Sequence, residues 1–300
     1  MSFSGDVKRE MCKAPVQKRC CALAEAYGIL LFAHSFSFTG IKIVTGNDAF
    51  AKRLSPLFKR AFGFVFDNYP EEIKESKMIF SISDSTKICK IMSAFGYDAK
   101  QHSSLHINFA VIEDDCCRTS FLRGAFLCGG SVTDPNKRYH LEFATPHLQI
   151  GSEFAALLNE AGIEPKSIVR QGNTVTYFKH SDTIEDLLTL LGAPIASMNI
   201  MSAKIEKDMR NKVNRRMNCD YANADKSLLA SRRQAEIIEK LVDAGIVANL
   251  PVKLQEVAIA RLIQPDISLS ELAETFDPPI TKSCLNHRMR KLMDLAGEEK

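Results

Sequence analysis

The stretch FLRGAFLCGG, residues 121–130, decides how this chain is read. It is an apolar run with a glycine in its middle and two more at its end. A mid-helix glycine costs about 1 kcal/mol relative to alanine. The cost is explained if two helix backbones must approach closely at Gly124. The run therefore predicts a helix that packs against a partner of the same kind, and the partner should be found elsewhere in the chain.

It lies upstream. Residues 20–35, CCALAEAYGILLFAHS, align without a gap on residues 116–131, CCRTSFLRGAFLCGGS. Cys20 matches Cys116, Cys21 matches Cys117, Gly28 matches Gly124, Leu31 matches Leu127 and Ser35 matches Ser131. Ala26/Leu122, Ile29/Ala125, Leu30/Phe126 and Phe32/Cys128 also pair apolar with apolar.

The segments downstream of the two copies repeat as well. After the first, 36–45 reads as a hairpin around Thr39-Gly40, then a helix near 47–62, a strand at 78–83 and a helix at 84–95. After the second, extended segments at 131–133 and 139–144 flank the turn sequence DPNK. A helix near 147–161 precedes Gly162, strands at 168–170 and 174–178 flank Gly172-Asn173, and a helix at 181–191 stops at Gly192. The expectation is an α+β fold built as two αββαββα repeats, about residues 1–112 and 113–195, forming one pseudo-twofold domain over 1–195.

Beyond Pro194 the strand signals end. A helix is read over 196–217, whose basic end KDMRNKVNRR holds Lys207, Arg210, Lys212, Arg215 and Arg216 against one acid. These five are candidate phosphate contacts. The polar NCDYANADK next to it reads as turn-prone, so 196–224 is expected to be a helical basic linker. Residues 225–300 then read as all-α. Helices are placed at 225–244 before Gly245, at 251–263 before Pro265, and at 268–276, where Ser268 and Glu271 have capping-box spacing. DPP at 277–279 breaks the chain, Thr281 caps a last helix, and Ile280 can staple to Leu285.

The last two helices have helix-turn-helix spacing. Leu285, Met289 and Leu292 recur at helical spacing and must face the core. Lys282, Ser283, Asn286, His287, Arg290 and Lys291 are thereby turned outward, on a segment, TKSCLNHRMRKLM, that has no acid. Arginine and asparagine can make bidentate contacts to base edges, and lysine and serine can hold phosphates. Thr281, at the helix start, sits where the dipole favours a phosphate. Double-stranded DNA is the expected partner. A basic helix that packs or binds an acidic protein is the competing reading.

Composition agrees with a folded chain: 300 residues, 45% hydrophobic, 25% charged, and a net charge of +3 that neither demands nor excludes nucleic acid. Nine cysteines without a secretory leader point to a reducing, cytoplasmic compartment. The pairs Cys20-Cys21 and Cys116-Cys117 have poor spacing for disulfides or zinc and read as small buried hydrophobes; no metal or cofactor is expected. The most apolar run, 20–36, contains Glu25 and His34 and falls short of the roughly 20 residues that span a bilayer. HSSLH, with His102 and His106, lacks the glutamate of a zincin.

FLRGAFLCGGS resembles the motif of the LAGLIDADG homing endonucleases, whose paired motif helices each end in a metal-binding acid. Alignment puts those acids at Ala33 and Gly129, neither of which can ligate a cation. Asp134, opposite Phe38 in the first half, reads as a turn residue before Pro135. More broadly, MSFSGDVKRE, the cysteine pairs, FLRGAFLCGGSVTDPNKRYHLEF, MRNKVNRRMNCDYANADK and PPITKSCLNHRMRKL resemble the WhiA family from end to end. That family joins a degenerate LAGLIDADG domain to a helix-turn-helix domain similar to region four of sigma factors. The resemblance implies a nucleoid-associated, non-enzymatic transcription regulator linked to sporulation, or to cell division and chromosome segregation. RNA polymerase or another regulator is a further partner it allows, with the saddle as a protein-binding scaffold. Tyr27 and His34 depart from the small residues usual in the family, which bears on how closely the dyad helices pack.

Overall fold

The computed structural model describes residues 2–16, 18–73, 77–98 and 104–297. The chain divides into two compact units, Met1–Lys207 and Asp208–Lys300.

The first unit opens with α1 (Phe3–Met11), capped by the Ser2 hydroxyl, which accepts from the Gly5 N–H. The first half continues with α2 (Arg19–Leu31), β1 (Ser35–Ser37), β2 (Gly40–Thr45), α3 (Asp48–Phe62), β3 (Met78–Ile82) and α4 (Ser85–Ala94). The second half runs α5 (Asp115–Gly129), β4 (Gly130–Val132), β5 (Leu141–Thr145), α6 (Leu148–Glu160), β6 (Lys166–Arg170), β7 (Asn173–Phe178) and α7 (Ser181–Leu191). Its antiparallel sheet has the order β4-β5-β7-β6, as an αββαββα unit requires. The hairpin turn falls on Gln171-Gly172, both at positive φ, one residue earlier than the position read from Gly172-Asn173.

The first half differs by a strand. Among the described residues its sheet has three, in the order β1-β2-β3, and a lone bridge between Asn68 and Ser81 stands where the fourth would pair. Asp67 explains the difference. Its carboxylate accepts from the Ser83 N–H at 2.7 Å and the Asp84 N–H at 2.8 Å and takes the Lys87 ammonium. The segment is thus committed to tying down the start of α4 rather than extending a ladder.

The repeated helices α2 and α5 meet along their length. A Cβ on Gly28 would lie 2.1 Å from the Phe121 carbonyl oxygen, and one on Gly124 would lie 2.1 Å from that of Glu25. Backbone touches backbone reciprocally, which is why both positions are glycine. Tyr27 does not interfere. It is fully buried, stacks on Phe95 with ring centroids 4.2 Å apart, donates to the His106 carbonyl and accepts from the Asn108 N–H. His34, past the end of α2, is exposed.

A buried charge cluster accompanies this contact. Glu25 on α2 is 1% exposed and bonded at 2.5 and 2.9 Å to both nitrogens of one edge of Arg53, with Arg123 of α5 3.6 Å away. Arg53 also donates to the Cys12 and Ala14 carbonyls, and Arg123 to the Leu191 carbonyl. Each charge is thereby satisfied, as a buried ion must be.

A helix of 50 residues, α8 (Pro194–Asp243), comes next. In the first unit its start buries Ala196, Ile200 and Ala203, and the α1 carboxylate of Glu10 accepts from the Ile195 and Ala196 N–H groups at 2.6 and 3.0 Å. The turn read at 218–226 is absent. Between Pro194 and Gly245 the sequence has neither glycine nor proline, so exposed Asn and Asp residues alone do not end the helix. In the second unit the end of α8 buries Ile237, Ile238 and Leu241 against α9 (Val252–Ile263), α10 (Leu269–Glu274) and α11 (Lys282–Leu295). No helix among the described residues is long and apolar enough to cross a membrane.

Candidate nucleic-acid interface

The α10–α11 pair is assembled from local bonds that the sequence encodes. The Ser268 hydroxyl accepts from the Glu271 N–H at 3.3 Å, and the Glu271 carboxylate accepts from the Ser268 N–H at 2.8 Å, closing the capping box. These bonds hold the Glu271 carboxyl below its ordinary pKa. At the other helix start the Thr281 hydroxyl accepts from the Cys284 N–H at 3.2 Å. Between the helices, the Ile280 N–H donates to the Ala273 carbonyl at 3.1 Å, fixing the turn. Leu285, Met289 and Leu292 are 0–1% exposed, packed with Leu272 and Val257.

This register leaves Thr281, Lys282, Ser283, Asn286, His287, Arg290 and Lys291 exposed. All seven candidates lie on the first turns or outer side of one helix. Arg288, which the pattern did not single out, is half-buried beside them.

Beneath the pair lies an arginine that sequence reading missed. Arg261 of α9 is fully buried and donates through Nη1 to the Ile267 carbonyl at 2.7 Å and the Gln264 carbonyl at 3.2 Å. Burial lowers its pKa from the ordinary value. The Ser231 hydroxyl of α8 donates to the same Ile267 carbonyl at 2.9 Å, and Arg232 pairs with Asp266 at 2.7 Å. The loop that delivers the Ser268 cap is thus clamped from two helices. An arginine in an amphipathic helix reads as solvent-facing, so no sequence signal marked it.

The five candidate phosphate contacts separate. Arg210, Lys212, Arg215 and Arg216 are exposed along α8. Lys207 is turned inward, its ammonium on the Pro135 carbonyl and 4.3 Å from the Tyr139 ring centroid, which removes it from the set.

In the first unit, the ends of the dyad helices do not fit a metal. Ala33 is fully buried, and a Cβ on Gly129 would lie 2.3 Å from the Ala144 carbonyl oxygen and 2.9 Å from Phe32. A carboxylate at Gly129 would require β5 to move, and one at Ala33 would be buried. Asp134 is a turn residue: its carboxylate accepts from the Asn136 N–H at 2.9 Å, and its carbonyl from Lys137 and Arg138. On the outward row of the second sheet, Ser131, Glu142, Tyr177 and Lys166 stand side by side. Glu142 there pairs with Arg170 and His140, each at 3.1 Å.

The opposite ends of the same helices hold a cluster that spacing along the chain does not suggest. The sulfurs of Cys20, Cys21, Cys116 and Cys117 all lie within 4.8 Å of one another. Of the four only Cys117 is buried, while Cys20 and Cys116 are exposed, so the reading as buried hydrophobes is corrected. Adjacent cysteines on a helix point in different directions. Only the close crossing of α2 and α5 makes them converge. His106, the described histidine of HSSLH, packs its ring on Tyr97; His102 lies outside the described residues.

Comparison with known proteins agrees with this architecture. Residues 118–210 match the WhiA LAGLIDADG-like domain and residues 213–296 the WhiA C-terminal HTH domain. A probable cell division protein WhiA of Ruminiclostridium cellulolyticum is 38% identical over 304 residues, covering 99% of this chain and 97% of the relative. One from Alkaliphilus metalliredigens is 34% identical over 313 residues, covering 100% and 99%. Among solved structures, full-length DUF199/WhiA from Thermatoga maritima matches with a TM-score of 0.60 at 24% identity, over 99% of this chain and 98% of that one, and shares the fold. With both domains matched in order and relatives aligned along their whole length, the chain belongs to the WhiA family.

Proposed function

We propose that the chain is a sequence-specific DNA-binding transcription regulator without nuclease activity, acting in cell division or sporulation at the nucleoid. The observation that carries this reading is α11: a helix with its apolar side locked in a core and seven polar or cationic residues, Thr281 to Lys291, exposed on the other. Arg290 and Asn286 are assigned to base edges, Lys282, Ser283, His287 and Lys291 to phosphates or flanking bases, and Thr281 to the phosphate at the helix start. Arg210, Lys212, Arg215 and Arg216 add phosphate contacts. The names of the relatives support the link to cell division. Ala33 and Gly129 support the absence of nuclease chemistry, since in-line hydrolysis needs cations clamped by acids at those positions.

Gel shifts on a cognate promoter and its scrambled counterpart test the assignment. Arg290→Ala or Asn286→Ala should weaken cognate binding by about 1–3 kcal/mol and leave the scrambled probe little changed. Equal loss on both probes would sink base reading by α11.

For the saddle of the first unit a second reading is supported by Glu142. An acid at the centre of the outward sheet row, neutralised by its own neighbours, is poorly suited to tracking a phosphate backbone. A scaffold for protein, with RNA polymerase or another regulator as the partner, suits that surface better.

A further inference from the structure

Four thiols from two helices converge at the pseudo-dyad. Cys20 and Cys21 are the second and third residues of α2, and Cys116 and Cys117 the second and third of α5. The cluster therefore obeys the same symmetry as Gly28 and Gly124. Every sulfur is within 4.8 Å of the other three, and Cys116 and Cys117 are 3.9 Å apart. A tetrahedral zinc with bonds near 2.3 Å separates its sulfurs by about 3.8 Å. Four sulfurs at those spacings can close on one ion with small rotations of their side chains.

The first turns of two helices meet at the sulfurs. Neither helix has a side chain capping its first turn: Lys18 and Asp114, at the cap positions, make no such bond. Anionic sulfur at the second and third positions lies where the helix dipole is positive, equivalent to roughly half a charge per helix. Arg123 on α5 is within electrostatic reach of Cys21. Exposure of Cys20 and Cys116 gives an ion a path in, while buried Cys117 and half-buried Cys21 wall the far side.

We infer that Cys20, Cys21, Cys116 and Cys117 form a tetrathiolate site for a soft divalent cation, zinc, that pins the dyad helices together at their N-terminal ends. Binding displaces the thiol protons to solvent and forms four Zn–S bonds, with no change of oxidation state.

Cobalt substitution of the full-length, reduced, chelator-stripped chain is the direct experiment. Addition of Co²⁺ should produce the intense visible bands of tetrahedral tetrathiolate cobalt, saturating at about one ion per chain, and Zn²⁺ should bleach them. Zinc should raise the Tm of the stripped protein by roughly 5 °C or more. The double variant Cys116→Ser/Cys117→Ser should lose the bands, while Cys89→Ser and Cys219→Ser, at exposed cysteines elsewhere, should keep them. Because the cobalt spectrum is read first on the unaltered chain, a variant that fails to fold leaves the inference testable. Weak octahedral spectra would overturn it, as would bands that survive the double variant. So would freshly isolated protein whose Cys20 or Cys21 is joined by disulfide to Cys116 or Cys117.

Discussion

The helix pair at the dyad and the helix pair at the C-terminal end use contact in opposite ways. Helices α2 and α5 press backbone on backbone through Gly28 and Gly124, bury an ion cluster beside the contact, and close the positions where related folds hold acids. Helices α10 and α11 pack through Leu272, Leu285 and Met289, and α11 keeps one side in solvent. The first pair has been turned inward for shape. The second buries one side in its core and leaves the other, where the proposed DNA contacts lie, exposed. The comparison separates a residue that matters for structure from one that matters for recognition.

The strongest challenge to it is Glu25→Gln, which leaves Arg53 and Arg123 without a counter-charge. A loss of about 3–5 kcal/mol is expected in urea denaturation of the full chain, with DNA affinity per folded molecule unchanged. A fall in affinity at full folding would mean that the two regions are coupled. Gly124→Ala comes next. A methyl 2.1 Å from the Glu25 carbonyl oxygen must force the helices apart, so the same measurement should show the roughly 1–3 kcal/mol loss usual for overpacking. Stability equal to that of the unaltered chain would show that the dyad contact is loose and would break the contrast. The smallest effect belongs to Thr281→Ala, which removes the cap of α11 and should lower stability by about 1 kcal/mol. Because Thr281 also stands at the proposed phosphate position, its gel-shift loss should be similar on cognate and scrambled probes. Loss confined to the cognate probe would extend base reading to Thr281.

What could be read from the sequence was what short-range chemistry dictates. The capping box at Ser268, the Thr281 cap, the Leu285–Met289–Leu292 register and the stop at Gly192 each depend on residues within one or two turns, and all stand in the structure. The glycines at 28 and 124 were legible for a different reason: a mid-helix glycine at the same place in two repeats has few explanations other than close approach. Features that depend on distant partners were not legible. The cysteine cluster exists only once two helices separated by most of a repeat have crossed. Arg261 becomes a core residue only because a loop three to six residues further on folds its carbonyls back toward it. The lost strand near Asn68 traces to one carboxylate, Asp67, preferring the start of α4 to a ladder, a choice that strand propensity does not register.

The bonds of α1 and α2 to residues far downstream have a consequence for the protein's birth. Glu10 finds its N–H partners at Ile195 and Ala196, Glu25 reaches Arg123, and Gly28 meets Phe121. On a ribosome adding about 5–20 residues per second, the first repeat waits roughly 5 to 20 seconds for the hundred residues that complete its central contact. Throughout that interval the face of the apolar helix CCALAEAYGILL that α5 will cover has no partner. Slowing translation across the second repeat would lengthen that exposure.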